Sequence, residues 1–459
     1  MSPGDPSAAP PPPPPQTLPA FTLATWTSPN LDGTVQAQPL YVSSANVVVV
    51  VTENDSVYGL NPATGAIVWG PTSIGTPEPL AENDGAGPLM TLNGCGDIDP
   101  IGITSNPVLA GGHVFVVGER ETATLANGHH LPEHVIASID PSTGAIAQGP
   151  MNIDPPAMTV ATPDSTQNQI TGEQQRTGLV AANGQIYVGF GGLAGDCGPY
   201  HGFLVGVKQA DLTIASTFES ATSAAIHLDR EGAVWAPGGV AANSAGTLIY
   251  AATGNSQDVS TPTPANEDFS DAVVQLDASS LSPPIRVFQP STFIADNQSD
   301  ADLGSSAPAL VDNGAQLFQI GKRGIGYLLD SFSLALDGQL SLCSGGSYGS
   351  VATFANAIYV PCRGSGMKQL VLGNGTMVAG WTSPPNVPAG GPATVDPSTN
   401  MVFSADTGTE QLFGVNAITG QDMMRYQLAL TNQEHFPTPG LGDNEVFIES
   451  GLTIKAFPT

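Results

Sequence analysis

The chain has 459 residues, with 11 Lys and Arg against 40 Asp and Glu, a formal charge of −29. Cations this scarce exclude a nucleic-acid binder, because neutralising phosphates takes lysine and arginine. The 54 Gly and 41 Pro exclude a coiled coil or helical bundle, while 41% hydrophobic residues suffice to bury a core.

Residues 1–20, MSPGDPSAAPPPPPPQTLPA, read as a disordered Pro-rich tether ahead of a single domain spanning 21–459. The tether has neither the basic nor the apolar segment of a signal peptide. It suits an exported protein of bacterial type (periplasmic, extracellular or a cell-surface lipoprotein) whose targeting segment lies outside this sequence. No stretch of ~18 uninterrupted apolar residues is present, so no transmembrane helix is expected. The expected state is a monomer.

From Gln38 onward the pattern is β: short β-branched runs alternate with Gly, Asn, Asp and Pro turns. A four-strand unit is clearest in QPLYV, VVVVVT, SVYGLN and AIVWG, Gln38 to Gly70. Its second half recurs as VIASIDPSTGAIAQG and LFGVNAITGQDMMRY. In each, a strand ends in Asp or Asn and a Thr-Gly turn follows, the glycine supplying a positive φ. Units start near Gln38, Thr104, Thr177, Val234, Gly304, Ser347, Gly391 and Phe436, the last three intervals being 43, 44 and 45 residues. That is the spacing of propeller blades. The final unit has three strands, and FTLATWT, Phe21 to Thr27, supplies its fourth. The expected fold is an all-β, eight-bladed propeller with four antiparallel strands per blade, its ring closed by the N-terminal strand.

The long segments are 71–103, 119–133, 152–175, 191–202, 220–233, 254–270 and 289–303. Each is a link between blades or a loop between second and third strands, and both kinds emerge on one face of a propeller. Function is expected there, at the channel mouth. Two acidic clusters lie in these loops, Asp97 with Asp99 and Asp296 with Asp300 and Asp302. Calcium is the cation such oxygens favour; solvated or capping acids are the plainer alternative. The loop acids predict an anionic mouth that repels nucleic acid and tolerates cations. Cys95 with Cys197, and Cys343 with Cys362, are the disulfide pairings favoured by loop placement; buried free thiols are the alternative. GGSYG, around Ser347, matches the nucleophile-elbow spacing but no helix is expected after it, and GHHLPEH offers His130 and His134 across a helix-breaking Pro132. A Gly-rich lead into a strand and a polar loop explain them better.

The repeat SVYGLNPATGAIVWG, with Trp26, Trp69 and Trp381 near the ends of fourth strands, resembles the tryptophan-docking repeat of the quinoprotein β-propeller superfamily. That superfamily holds dehydrogenases dependent on pyrroloquinoline quinone (PQQ) and non-catalytic members, among them an outer-membrane assembly lipoprotein. GKRGIGYLLD is similar to the segment carrying the cation beside the quinone, which implies that role for Lys322; the TGN turn implies a calcium ligand at Asn255. Other positions depart from the family. The catalytic aspartate's place falls on Asn266, leaving Asp268 or Asp271 to substitute; Cys197 stands at the calcium-binding glutamate; and no two cysteines adjoin. The resemblance therefore implies the fold, with an incomplete dehydrogenase set. The functional expectation is a non-catalytic binding or scaffold module taking a protein or small molecule at its mouth, with no certain cofactor. A divergent PQQ-dependent oxidoreductase using Lys322, Asn255 and Asp268 or Asp271 is the alternative, and enzyme status is left open.

Overall fold

The computed structural model describes residues 23–80, 96–124, 130–158, 170, 172–196, 200–221, 231–256, 269–373, 375–385, 387, 389–430 and 435–459. Eight antiparallel sheets follow one another along the chain, six of them as four strands in sequence order, the third with one extra short strand and the eighth joined by the first strand of the chain. In the first blade these are Leu40–Val42, Val47–Val51, Ser56–Leu60 and Ile67–Ser73. The later blades begin with first strands at Val108–Ala110, Val180–Ala182, Ala241–Ala242, Ala309–Val311, Ala352–Phe354, Ala393–Asp396 and Gly440–Gly442.

Second and third strands are covered on both faces by neighbouring blades, so they are apolar without alternation. Val47–Val51 and Ser56–Leu60 are buried at every position, whereas the fourth strand Ile67–Ser73 is largely exposed at the rim. The core therefore lies between blades rather than within them. Val49, Val51 and Val57 of the first blade pack with Val114, Val116, Val135 and Ala137 of the second, and the same arrangement continues between the second and third.

The Thr-Gly turns explain the tryptophans. Trp69 donates its indole N–H to the carbonyl of Pro141 at 2.9 Å, in the third-to-fourth-strand turn of the next blade. A Cβ on Gly144 in that turn would come within 2.3 Å of the Trp69 ring, so only glycine lets the indole settle there. Trp26 docks likewise on Pro62 at 2.7 Å and Trp381 on Ala417 at 3.1 Å. Each indole fills the gap between two sheets and satisfies its one donor there.

The first strand, Trp26–Thr27, pairs with the last, Thr453–Pro458, so the two ends of the chain share the eighth sheet as expected. Only these two residues are strand, although backbone bonds from Thr25 to Ala456 and from Ser28 to Ile454 continue the pairing. The segment 119–133 is not an open loop: His113–Thr124 and His130–Ile139 run on as a hairpin, pairing Glu121 with Pro132. The link before the third blade adds a short strand, Glu173–Gln174, against Gly191 and Gly192. Cys343 and Cys362 form a disulfide with Cα atoms 5.0 Å apart. The other expected pair, Cys95 with Cys197, lies outside the described residues, as do Asp268 and the tether 1–20. No described helix is long and apolar enough to cross a membrane.

Candidate functional site at the channel mouth

Strand direction sends all links between blades, and all loops between second and third strands, to one face. There they surround a cavity of about 620 Å³. Four links supply its large side chains: Arg176 enters before the third blade, Trp235 before the fourth, Tyr348 before the sixth and Phe436 before the eighth. Second-to-third-strand loops add Asn255, Lys322 and Arg363.

Three of the rings form a run, and each has a cation close to it. Tyr348 stacks on Phe436 with centroids 5.8 Å apart, and Trp235 lies 6.0 Å from Phe436, tilted by 45°. The Arg176 guanidinium sits 5.0 Å from the Phe436 centroid, Arg363 5.5 Å from Tyr348, and the Lys322 ammonium 5.8 Å from Trp235. The electron-rich ring faces partly balance the cations without neutralising them. The Arg176 Nη2 is buried with no hydrogen-bond partner among the described residues, and burial lowers the pKa of this side chain to about 10 despite the pull of Asp97.

Acids complete the lining. Lys322 pairs with Asp300 at 2.5 Å and Asp302 at 2.8 Å. Burial works against the Lys322 charge, but the two aspartates outweigh it and raise its pKa. Asp302 is pushed up by burial and drawn back by Lys322, and its Oδ1 accepts the backbone N–H of Asn255 at 2.8 Å. The Asn255 amide donates to Glu231 at 3.1 Å. Across the mouth, Asp97 meets His435 at 2.9 Å. Burial opposes the Asp97 charge, but His435, with help from Arg176, holds the carboxyl below its ordinary pKa.

The expected residues are thus partly gathered. Lys322 and Asn255 do meet, and the carboxylate between them is Asp302. Asp271 lies fully buried, its Oδ1 accepting the Leu303 N–H at 2.8 Å and its Oδ2 unpartnered. Burial, reinforced by Asp302 and Asp296, raises its pKa to about 8. Asp99 caps the Leu80 N–H at 3.1 Å, and Asp296 pairs with Arg323 and accepts the Thr292 hydroxyl at 2.7 Å. Among the described residues no group of three His, Cys, Asp or Glu side chains is placed to hold a metal. The mouth is not simply anionic either. Asp97, Asp196, Asp300 and Asp302 face Arg176, Lys322, Arg363 and His435 across one cavity.

The two weaker motifs resolve structurally. Ser347 is fully buried, its backbone carbonyl accepting the Ser305 hydroxyl at 2.9 Å. His134 lies buried between Asp154 at 2.8 Å and Glu119 at 3.5 Å. Burial disfavours its charge, but the two carboxylates prevail and hold its pKa near 10.

Sequence reasoning missed Trp235, Tyr348, Arg363, His435 and Phe436. A usable signal was present: Arg176, Tyr348 and Phe436 each stand four residues before a blade's first strand, at Val180, Ala352 and Gly440. That repeated position looks into the mouth.

No protein-family model and no curated sequence matches the chain. Solved structures do. The quinohemoprotein alcohol dehydrogenase ADHIIG from Pseudomonas putida HK5 superposes with a TM-score of 0.62 at 14% identity, covering 96% of this chain and 78% of that one. A europium-containing methanol dehydrogenase gives 0.63 at 14% identity, covering 95% and 87%. BamB from Moraxella catarrhalis gives 0.55 at 12% identity, covering 94% and 98%. At these identities the likeness establishes architecture: the chain has the eight-bladed β-propeller fold of these proteins. The fold is common to dehydrogenases and to BamB, so the site must carry the functional argument.

Proposed function

We propose that this propeller is an exported binding module whose channel mouth holds a flat organic anion. One observation carries the reading: three of the chain's 11 lysines and arginines converge with the rings of Trp235, Tyr348 and Phe436 on a single cavity. In a chain of net charge −29, that concentration of cations needs a reason, and recognition of carboxylates supplies one. The buried Nη2 of Arg176, without a partner among the described residues, is a donor available to an acceptor. The volume, about 620 Å³, falls in the range of small-molecule sites. The Cys343–Cys362 disulfide supports an oxidising compartment and hence export.

PQQ, a flat tricarboxylate, fits this lining: the rings of Trp235, Phe436 and Tyr348 offer stacking faces, and Arg176 and Arg363 would take its carboxylates. When bound, it supplies two-electron oxidation chemistry. Calcium fits less well, because Asp300 and Asp302 are already engaged by Lys322, and Glu231 by Asn255. The contact between Asp302, Lys322 and Asn255 favours one second reading, a divergent quinone-dependent oxidoreductase with Asp302 as its base.

Thermal stability with PQQ and calcium, alone and together, separates these. A ligand at a hundred times its Kd stabilises by ~2.7 kcal/mol. An upward shift with PQQ alone is the expected result. A shift that needs both would move the conclusion to the oxidoreductase. No shift under any condition would remove PQQ as a ligand. Export is tested by thiol alkylation of the protein in its host, where Cys343 and Cys362 are expected to be protected.

A further inference from the structure

Beside the mouth lies a second cavity of about 240 Å³, set among the sixth, seventh and eighth blades. It shares Tyr348, Arg363, His435 and Phe436 with the main cavity, so the two adjoin across the stacked Tyr348–Phe436 pair. Its size is below the ~300–1,000 Å³ of complete ligand sites, which suits it to part of a ligand seated in both.

The far wall carries Asp406, Gly390 and Gly391. Asp406 Oδ2 is used: it accepts the Thr409 N–H at 2.8 Å and its hydroxyl at 2.9 Å. Oδ1 accepts no hydrogen bond from any described residue and stands by Gly390, where a Cβ would lie 2.9 Å from it. Glycine at 390 leaves that oxygen approachable. The cavity thus offers a fixed acceptor, the Arg363 donor, and aromatic faces.

The charges choose between occupants. An ammonium at Asp406 would share its space with the Arg363 guanidinium and with His435. A second anion would face Asp406. A neutral group bearing adjacent hydroxyls satisfies both walls: one hydroxyl donates to Asp406, another accepts from Arg363, and the C–H face of a ring lies on an aromatic side chain. We infer that the side cavity is a subsite for a polyhydroxylated, sugar-like portion of the ligand, so that the ligand class is a glycosylated flat organic acid. This rests on the mouth being an anion site.

The test uses calorimetry on the full chain, with D-glucuronate and with cyclohexanecarboxylate, a ring of similar size without hydroxyls. Glucuronate is expected to bind about tenfold tighter, the worth of a hydrogen bond to a charged group. Asp406→Asn is expected to abolish that preference while leaving cyclohexanecarboxylate affinity and the PQQ-induced melting shift unchanged. Gly390→Ala, which covers Oδ1 without altering any charge, is expected to do the same. Equal binding of the two acids by the wild type, or a preference that survives both substitutions, overturns the subsite while leaving the anion site standing. Binding of neither acid, with the PQQ shift intact, also overturns it. Loss of the PQQ shift together with both acids removes the reading underneath.

Discussion

The two faces of the ring are built on different rules. The face of the first-to-second and third-to-fourth-strand turns is repetitive: short Thr-Gly turns receive an indole from the preceding blade at Pro62, Pro141 and Ala417. The mouth face is bespoke, and what holds it is not repeated: a disulfide, ion pairs such as Lys322 with Asp302, and a run of stacked rings. The turn face carries the tryptophan docking between blades, and the mouth face carries the chemistry together with its own, unrepeated supports. Each face can be damaged with little effect on the other.

The largest effect is expected from Trp69→Ala. Emptying the gap between the first two blades should cost ~3–5 kcal/mol in chemical denaturation, with PQQ-induced stabilisation retained by the folded fraction. Retention fails if the faces are coupled. Next comes reduction of Cys343–Cys362, worth ~2–4 kcal/mol. Here ligand response should suffer as well, because the bridge abuts the segments that carry two pocket cations. Cys343 N–H bonds to Gly324 beside Lys322, and Arg363 follows Cys362 directly, its own N–H bonding to Gly346.

A slope is expected from Asp271. Its folded pKa, about 8, lies above the ordinary carboxyl value of 3.8. The folded state therefore holds the proton more tightly, so this contribution to stability is complete below pH 3.8 and is lost as pH rises to about 8. Asp271→Asn should flatten melting temperature against pH over that interval, and an unchanged slope would remove Asp271 from the account. His134, held near 10 from an ordinary 6.5, adds a loss of the same sign between those values. The smallest change in stability, within ~1 kcal/mol, is expected from Trp235→Ala, since that ring lines an open cavity rather than a sealed gap. Its PQQ shift should vanish. A large destabilisation with binding intact would reverse the assignment of roles.

The same division decides what could be read from the sequence. Blade number, blade boundaries and the three docked tryptophans were legible because each is a repeated local pattern: a strand, an Asp or Asn, a Thr-Gly turn. Lys322 and Asn255 were singled out because their flanking segments resemble the family's, and both line the cavity. Arg363 was not, since nothing local marks it, and Tyr348 is marked only by its place four residues before a first strand; both matter because the ring brings the sixth blade opposite the link that follows the seventh. Asp302 was read as a calcium candidate, since counting back along the fourth blade led to Asp268 and Asp271. The carboxylate that reaches Lys322 comes instead from the link to the fifth. Glu121 and Pro132, expected in a loop, are paired strand residues, because a hairpin can lengthen without altering its composition.

The seam in the eighth blade also has a mechanical meaning. Trp26 lies opposite Ala456 and Thr27 opposite Lys455 in an antiparallel pair, so both chain ends leave the sheet at the same edge. Tension applied across residues 23 and 459 would load those bonds one at a time, as in opening a zip, rather than all together in shear. The indole of Trp26, seated on Pro62 of the first blade, is then the catch that must slip before the ring can open.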